Sequence, residues 1–441
     1  MSKFIGKALL ASAALAASAI GAGSAAAAHH ETVIVHAGRL MAVPGERVRE
    51  AQSLIIRDGA VVEIRDGFIG AQEIGEDDVV IHDLSGMFVM PGFIDGHTHI
   101  GGELGPNNKL EAVELSPAHV ALRATVYARR TLEAGFTTIR NLGGGPEILA
   151  LRDSINRGYV EGPRIYAVGG GISGTGGHGD THGYRPDVLE ILSNPNVCDG
   201  PDECRKSVRR LVKSGADQIK ITATGGVLSE TAAGTEQQMF DDEMRAIVET
   251  AATMGRRVAA HAHGTTGINA ALRAGVLSIE HGTYANNESF RLFRQTGAFL
   301  VPTILAGVTV TEMATPDDTF MPPPIREKAL RVGPQILDMV RRAHDANVAI
   351  AFGTDSGVSR HGDNAREFVL MVEAGMSPVE AIHAATVNGA ANLGQSDRLG
   401  SLAPGKWADL VAVEGDPTTD VTELLDIDFV MKGGKVYKGG H

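Results

Sequence analysis

The sequence predicts an α/β fold, a (β/α)8 barrel accompanied by a small β-sandwich domain formed from both chain ends. The middle of the chain alternates short apolar runs with helix-period segments, as a parallel sheet covered by helices requires. Eight strand-like runs can be counted there, at 93–99, 137–142, 165–168, 218–222, 258–261, 278–281, 299–303 and 349–354. Eight is the number that closes a barrel. The two ends instead carry β-branched runs separated by Gly, Asp and Pro turns, which read as antiparallel strands.

In chain order, residues 1–28 read as a signal peptide: Lys3 and Lys7 form a cationic start, 8–22 an apolar small-residue stretch and 25–28 an Ala-rich cleavage region. An Ala-rich, Gly-interrupted stretch of this length makes a poor membrane-spanning helix, so the expectation is a periplasmic or secreted protein with no membrane partner. Strands follow at 32–42, 53–57, 60–64 and 79–83, and again at 410–414 and 428–437, where Lys432-Gly-Gly-Lys435 supplies a hairpin turn. This assigns 29–89 and 397–441 to the composite β-sandwich domain and 90–396 to a TIM barrel. Ser116-Pro117 opens a barrel helix, and Gly135, Gly158, Gly215, Gly255 and Gly275 close others. A doubly wound open sheet would carry a phosphate-binding Gly fingerprint at its first strand–helix turn. None is there, and Gly143-Gly-Gly145 is a lone Gly cluster and a weak signal.

Composition narrows the classes of function. At 441 residues and 43% hydrophobic content the chain is an ordinary globular protein, and its formal net charge of -13 argues against nucleic acid or an anionic membrane as partner. The two cysteines, Cys198 and Cys204, flank Asp-Gly-Pro-Asp-Glu. In an oxidising compartment such a pair is expected to form a disulfide stapling one surface loop, since two thiolates alone cannot complete a tetrahedral zinc site.

The chemistry begins at Gly92-Phe-Ile-Asp-Gly-His-Thr-His99. Strand side chains alternate faces, so His97 and His99 point the same way and make half of a transition-metal site. Other polar residues stand at the C-terminal ends of their own strands: Lys220 in the fourth, His261 ending the fifth, His281 ending the sixth and Asp355 following the eighth. In a closed barrel these ends converge on the face that carries catalytic groups. A lone strand His or Lys is ordinarily structural, but six together call for a common site.

On these residues the chain resembles the metal-dependent amidohydrolase superfamily, in its binuclear, carboxylated-lysine branch. The resemblance covers essentially the whole chain after residue 28. It is carried by Met90-Pro-Gly-Phe-Ile-Asp-Gly-His-Thr-His99, Asp217-Gln-Ile-Lys-Ile221, His261-Ala-His-Gly264, Ile279-Glu-His-Gly282, Gly353-Thr-Asp-Ser356 and the closing Gly400-Ser-Leu-Ala-Pro-Gly-Lys-Trp-Ala-Asp-Leu410. It implies two divalent metal ions: His97, His99 and Asp355 on the more buried one, His261 and His281 on the more exposed one. Lys220 would bridge both as N6-carboxylysine, a carbamate derived from carbon dioxide. Four imidazoles with oxygen-type ligands suit zinc. Physics favours the modification independently, because an ammonium inside a cationic cluster is repelled whereas its carbamate is an anion. The competing reading of Lys220 is a buried lysine with a depressed pKa, or one reaching to the rim.

Alternation puts His261 and His263 on one face, so periodicity does not choose between them. The resemblance favours His261 as ligand, with His263 above the site and near substrate. His178, in the loop Gly174-Thr-Gly-Gly-His-Gly-Asp-Thr-His-Gly183, resembles the histidine that relatives use to polarise a substrate carbonyl; a solvated loop histidine is the alternative. The resemblance then implies hydrolysis by a metal-bridging hydroxide, with Asp355 as proton shuttle. The implied substrate is a small molecule, an Xaa-Pro-like dipeptide or an N-acyl amino acid such as an ochratoxin-type amide, whose leaving amine carries a free carboxylate.

His182, Arg185, Arg360 and His361 are the candidate receivers of that carboxylate, against a reading as solvated surface charges. A homo-oligomer is expected. A lactonase or phosphotriesterase-like enzyme would share the ligand set. An imidazolonepropionase- or deaminase-like one would share the histidine pair and Asp, but Gly264 stands where a deaminase glutamate would fall three residues after His261. A non-catalytic metal-binding protein should have lost a ligand, and none is lost. The segment 306–327, with Pro322-Pro-Pro324, is long for a barrel connection and reads as a lid or an oligomer contact.

Overall fold

Strands β1 (Thr32–Leu40), β2 (Arg49–Arg57), β3 (Ala60–Asp66) and β4 (Val79–Pro91) open the chain as it is seen in a computed structural model, which describes residues 32–230 and 234–439. The signal peptide assigned to 1–28 lies outside the described residues. The barrel strands follow as β5 (Phe93–Thr98), β6 (Phe136–Asn141), β7 (Arg164–Ala167), β8 (Gly171–Ile172), β9 (Ile219–Thr222), β10 (Val258–Ala262), β11 (Ser278–His281) and β12 (Phe299–Val301). The chain closes with β13 (Leu410–Val413), β14 (Phe429–Lys432) and β15 (Lys435–Lys438). Among the described residues no helix is long and apolar enough to cross a membrane.

The end strands form one seven-stranded sheet in the order β15-β14-β13-β4-β1-β2-β3. It curls on itself, because the β3 edge is tied to the segment leading into β13: Val61 N–H donates to Lys406 O at 2.9 Å and Gly405 N–H to Val61 O at 2.7 Å. Val35, Leu54, Val61, Leu410 and Phe429 thereby share one core. The sheet is mixed rather than antiparallel throughout. After the β1–β2–β3 meander the chain crosses back, and β4 pairs with β1 in parallel, Thr32 opposite Val79. A parallel pair needs a long crossover, which residues 41–78 provide.

The barrel strands make two parallel sheets, β5-β6-β7 and β8-β9-β10-β11-β12, rather than one closed ladder. The third predicted strand, 165–168, is seen as β7, and Gly169 and Gly170, both at positive φ, separate it from the short β8, which was not predicted. The eighth predicted strand, 349–354, is held by a few backbone bonds and an isolated parallel bridge of Leu300 with Ile350 instead of a continuous ladder. Ala351 N–H donates to Leu300 O at 2.9 Å on one side and Gly96 N–H to Phe352 O at 2.9 Å on the other, linking β12 to β5. Phe93, Phe136, Phe352 and Phe368 pack at the N-terminal end of this ring, with Phe352 and Phe368 centroids 4.5 Å apart. That apolar plug leaves the opposite, C-terminal end for chemistry.

Between strands the helices begin and end near the expected signals. Pro117 stands at the start of the helix Pro117–Glu133, and Gly275, at φ 94°, ends Thr265–Ala274 in the left-handed conformation that glycine adopts without strain. One local expectation is corrected. Cys198 and Cys204 are joined by a disulfide, but they are fully buried in the barrel's core instead of stapling a surface loop, because the helix Pro201–Lys213 turns its Cys204, Val208 and Leu211 face inward. The long segment after 303 is largely helical, at Ile304–Ala314 and Pro323–Val332. Its apolar residues pack with Val358 and with Leu104, Val227 and Leu228, so it forms a packed wall over the barrel mouth.

Candidate active site

Six of the predicted residues meet at the C-terminal ends of the strands. His97 and His99 leave β5 on one face, and Asp355 follows the eighth segment, anchored by its own N–H donating to His97 O at 2.7 Å. Asp355 Oδ1 lies 3.2 Å from both His97 Nε2 and His99 Nε2. On the neighbouring strands His261, His263 and His281 form a second group, with ring centroids 4.7–4.8 Å apart. Within each trio the donor atoms lie within 4.8 Å of one another, close enough for one ion. Lys220 on β9 is buried, lines the same cavity, and is electrostatically coupled to His99 and Asp355 in one trio and to His261 and His281 in the other.

Hydrogen bonds select which ring nitrogen is free. Glu280 Oε2 accepts from His97 Nδ1 at 2.9 Å, leaving Nε2 as the lone-pair atom. Thr303 Oγ1 donates to Pro302 O, so at 2.7 Å it accepts from His281 Nδ1 and again leaves Nε2 free. His261 presents Nε2 to Gly225 O at 3.3 Å, which leaves Nδ1. Histidine tautomers are assigned here from these partners. Burial disfavours the charged form of the second group: it lowers His263 to about 4 and holds His261 and His281 well below the ordinary histidine value. Burial pushes the Asp355 carboxyl up, but His97 and His99 outweigh it and hold it well below the usual carboxylate range. Burial brings the Lys220 amine down to about 8. Imidazoles with directed lone pairs beside a carboxylate are a donor set that fits divalent transition metals.

The backbone is strained where these groups are placed. His281 has φ 72° and Asp355 φ 58°, left-handed values that cost a β-carbon-bearing residue about 1–3 kcal/mol each. Close approach also explains two glycines. A β-carbon on Gly143 would fall 2.4 Å from His99 Nδ1, and one on Gly226 would fall 2.3 Å from the His178 ring. Gly143, the first of the three glycines, therefore clears space for His99.

His178 sits against His261, with centroids 4.3 Å apart, and lines the cavity. Burial lowers it to about 3, so it is neutral, and its buried Nδ1 has no hydrogen-bond partner among the described residues. The four candidate receivers of a substrate carboxylate are corrected: none lines the cavity. Exposed Arg185 pairs with Asp187 at 2.8 Å on the surface. His182 Nε2 is bound to Gly177 O at 2.8 Å, and His361 Nε2 to Gly102 O at 3.0 Å beneath the Tyr127 ring. Arg360 is exposed on its loop. Local backbone carbonyls hold His182 and His361 and a neighbouring aspartate holds Arg185, and the loops turn all four away from the strand ends.

Sequence reasoning missed the groups behind the ligands. Arg140 on β6 and Glu280 on β11 are fully buried inside the barrel and joined at 2.8 Å. Arg140 also donates to Gly96 O at 2.6 Å and to Ser278 Oγ at 3.1 Å. Burial pushes Glu280 up, but Arg140 and His97 outweigh it and bring it down to about 2, a permanent carboxylate. The signal was present: a charged residue in the middle of an apolar barrel strand needs a partner. Asp95 was likewise unread. Its Oδ1 accepts from the N–H of His97 at 3.0 Å and of Thr354 at 3.1 Å, coupling the first strand to the eighth.

Both trios, Lys220 and His178 open into one cavity of about 510 Å3 at the barrel mouth. Fold and site together define a hydrolase built on a (β/α)8-type scaffold whose histidine and aspartate groups could hold metal. The amidohydrolase family model matches residues 88–437, and the chain belongs to that family, as a hydrolytic enzyme acting on C–N bonds. It is 32% identical to an ochratoxinase of Aspergillus niger, over 93% of this chain and 87% of that protein. Its structure is similar to that of a Xaa-Pro dipeptidase with methionine bound in the active site, at 41% identity and a TM-score of 0.87, covering 93% of this chain and all of the other. A prolidase complexed with N-methylphosphonate-L-proline is similar at 30% identity and a TM-score of 0.84, over 92% and 99% of the two chains.

Proposed function

We propose that this enzyme hydrolyses the amide bond of a small dipeptide of the Xaa-Pro kind or of an N-acyl amino acid. The observation that carries the reading is the convergence of two metal-competent trios and Lys220 on one cavity. The names of its relatives, an ochratoxinase, a Xaa-Pro dipeptidase and a prolidase, support the substrate class and, with it, a leaving amine that bears a carboxylate. We assign two zinc ions to the centre, one to His97, His99 and Asp355 and the other to His261 and His281, with Lys220 joining them as its carbamate. The placing of His263 beside His261 and His281 makes it a further candidate ligand. Bound divalent ions would polarise the scissile carbonyl and lower the pKa of water.

The chain's own groups supply the rest. Asp355, an anion poised 3.2 Å from two imidazoles, takes the proton of the attacking water and returns it to the departing nitrogen. His178 offers its ring to the carbonyl oxygen as negative charge develops there, inside a buried site where one such donor counts for much. The apolar wall from Leu104, Val227, Val310 and Val358 excludes water from the bound amide. Export is proposed on the pattern of residues 1–28, and the Cys198–Cys204 disulfide supports an oxidising compartment.

Purified protein assayed against Xaa-Pro dipeptides, N-acyl amino acids, lactones and phosphotriesters, with metal analysis alongside, tests the reading. Metal-dependent turnover of the first two groups is expected. Turnover confined to lactones or phosphotriesters would refute it.

A further inference from the structure

The cavity's walls are strongly asymmetric in charge. One side is aliphatic, built by Leu104, Val227, Leu228, Val310 and Val358 from four separate segments. Apart from Lys220 and Asp355 at its base, the single charged side chain on its lining among the described residues is Glu103, on the loop that follows β5. Among the described residues no arginine lines it.

Glu103 is held in place and left electrically unpaired. Its Oε1 accepts from His361 N–H at 2.9 Å, and Leu104 N–H donates to Gly357 O at 2.6 Å. Asn108 Nδ2 donates to Glu103 O at 3.0 Å, fixing the loop from its other side. Among the described residues Glu103 forms no ion pair, and its Oε2 has no hydrogen-bond partner. A preorganised carboxylate with a free oxygen beside an apolar wall is suited to a cationic ligand, because charge-assisted bonds to ammonium are the strong ones and the poorly hydrated wall weakens competition from water.

We propose that Glu103 binds a free ammonium group on the acyl half of the substrate while the aliphatic wall takes the adjoining side chain. The preferred substrate is then an unblocked dipeptide with an apolar first residue, and N-acylated compounds, which lack that cation, are poorer. This rests on the amide-hydrolase reading and narrows it. Neutral Asn108, which also lines the cavity, adds no competing charge.

The test uses the metal-loaded full chain and its Glu103→Gln variant. Hydrolysis of Leu-Pro and N-acetyl-Leu-Pro is compared, and binding of leucine and N-acetylleucine is measured by calorimetry. The native enzyme should favour Leu-Pro over its acetylated form by about 10- to 100-fold, the worth of one hydrogen bond to a charged group. The variant should raise KM for Leu-Pro by a similar factor with kcat little changed, and leave the acetylated substrate's KM unmoved. A merely structural role would shift both substrates alike. Equal use of the two by the native enzyme, or an unchanged preference in the variant, overturns the proposal. If neither is cleaved, the Xaa-Pro part of the proposed function falls and calorimetry decides the rest: a Glu103-dependent preference for leucine upholds the ammonium site, and its absence removes it.

Discussion

His97 Nδ1 donates to Glu280 Oε2 at 2.9 Å, and the same carboxylate is gripped from behind by Arg140 at 2.8 Å. The chain from Arg140 through Glu280 fixes the tautomer of His97 and aims its Nε2 at the position shared with His99 and Asp355. Carboxylates behind ligating histidines set ring orientation and basicity, and their loss costs about 10- to 100-fold in metal affinity. Glu280→Gln should therefore fold, yet release metal to a chelator in that range more readily than the native protein. Equal retention in a competition titration would remove Glu280 from this role. Arg140→Met leaves Glu280 buried without its partner and should lower unfolding stability by about 3–5 kcal/mol, read by urea denaturation.

Lys220→Ala tests the bridge. The variant should load less than two metals per chain and lose nearly all hydrolysis, and a small added carboxylic acid should restore part of both by standing in for the carbamate. Full activity with two metals and no added acid would show that Lys220 is a buried amine and nothing more.

Asp355→Asn separates binding from proton transfer. Asparagine keeps the shape of the side chain but cannot accept a proton, so at saturating metal hydrolysis should fall by about 10²- to 10⁴-fold. A variant that binds metal and hydrolyses amides normally would sink the proton-shuttle assignment.

Glu367 gives a pH signature away from the metal ligands. Its carboxyl caps the helix Ile304–Ala314, accepting from Ile304 N–H at 2.9 Å and Leu305 N–H at 2.7 Å, and burial pushes it up to about 8. A folded pKa above the unfolded value near 4.5 means that the stabilising contribution is complete below about pH 4.5 and is lost as pH rises through 8. Over that window the unfolded chain ionises while the folded one resists, at about 1.4 kcal/mol per unit. Glu367→Gln forfeits one cap bond, about 1 kcal/mol, but does not titrate. It should be the less stable protein at pH 5, and the gap should shrink or reverse by pH 8. Urea unfolding at the two pH values reads the difference, and parallel curves would contradict it.

The sequence by itself determined the strand ends that carry chemistry. Period-two alternation put His97 and His99 on one face, and the order of apolar runs placed Lys220, His261, His281 and Asp355 at one end of a barrel. It also determined that both chain ends are β. These are local properties, set by dihedral geometry and by the spacing of apolar residues, so they are legible along the chain. Tertiary structure alone decided what crosses between segments. Arg140 and Glu280 stand 140 residues apart, and only barrel closure makes them a pair. The parallel pairing of β1 with β4 depends on the route of a crossover. Loop residues followed the same rule: His182, Arg185, Arg360 and His361 carry suitable charges but face elsewhere, while Glu103 reaches the cavity because bonds from Leu104, Asn108 and His361 hold its loop there. Loop direction depends on such long-range bonds, which no periodicity encodes.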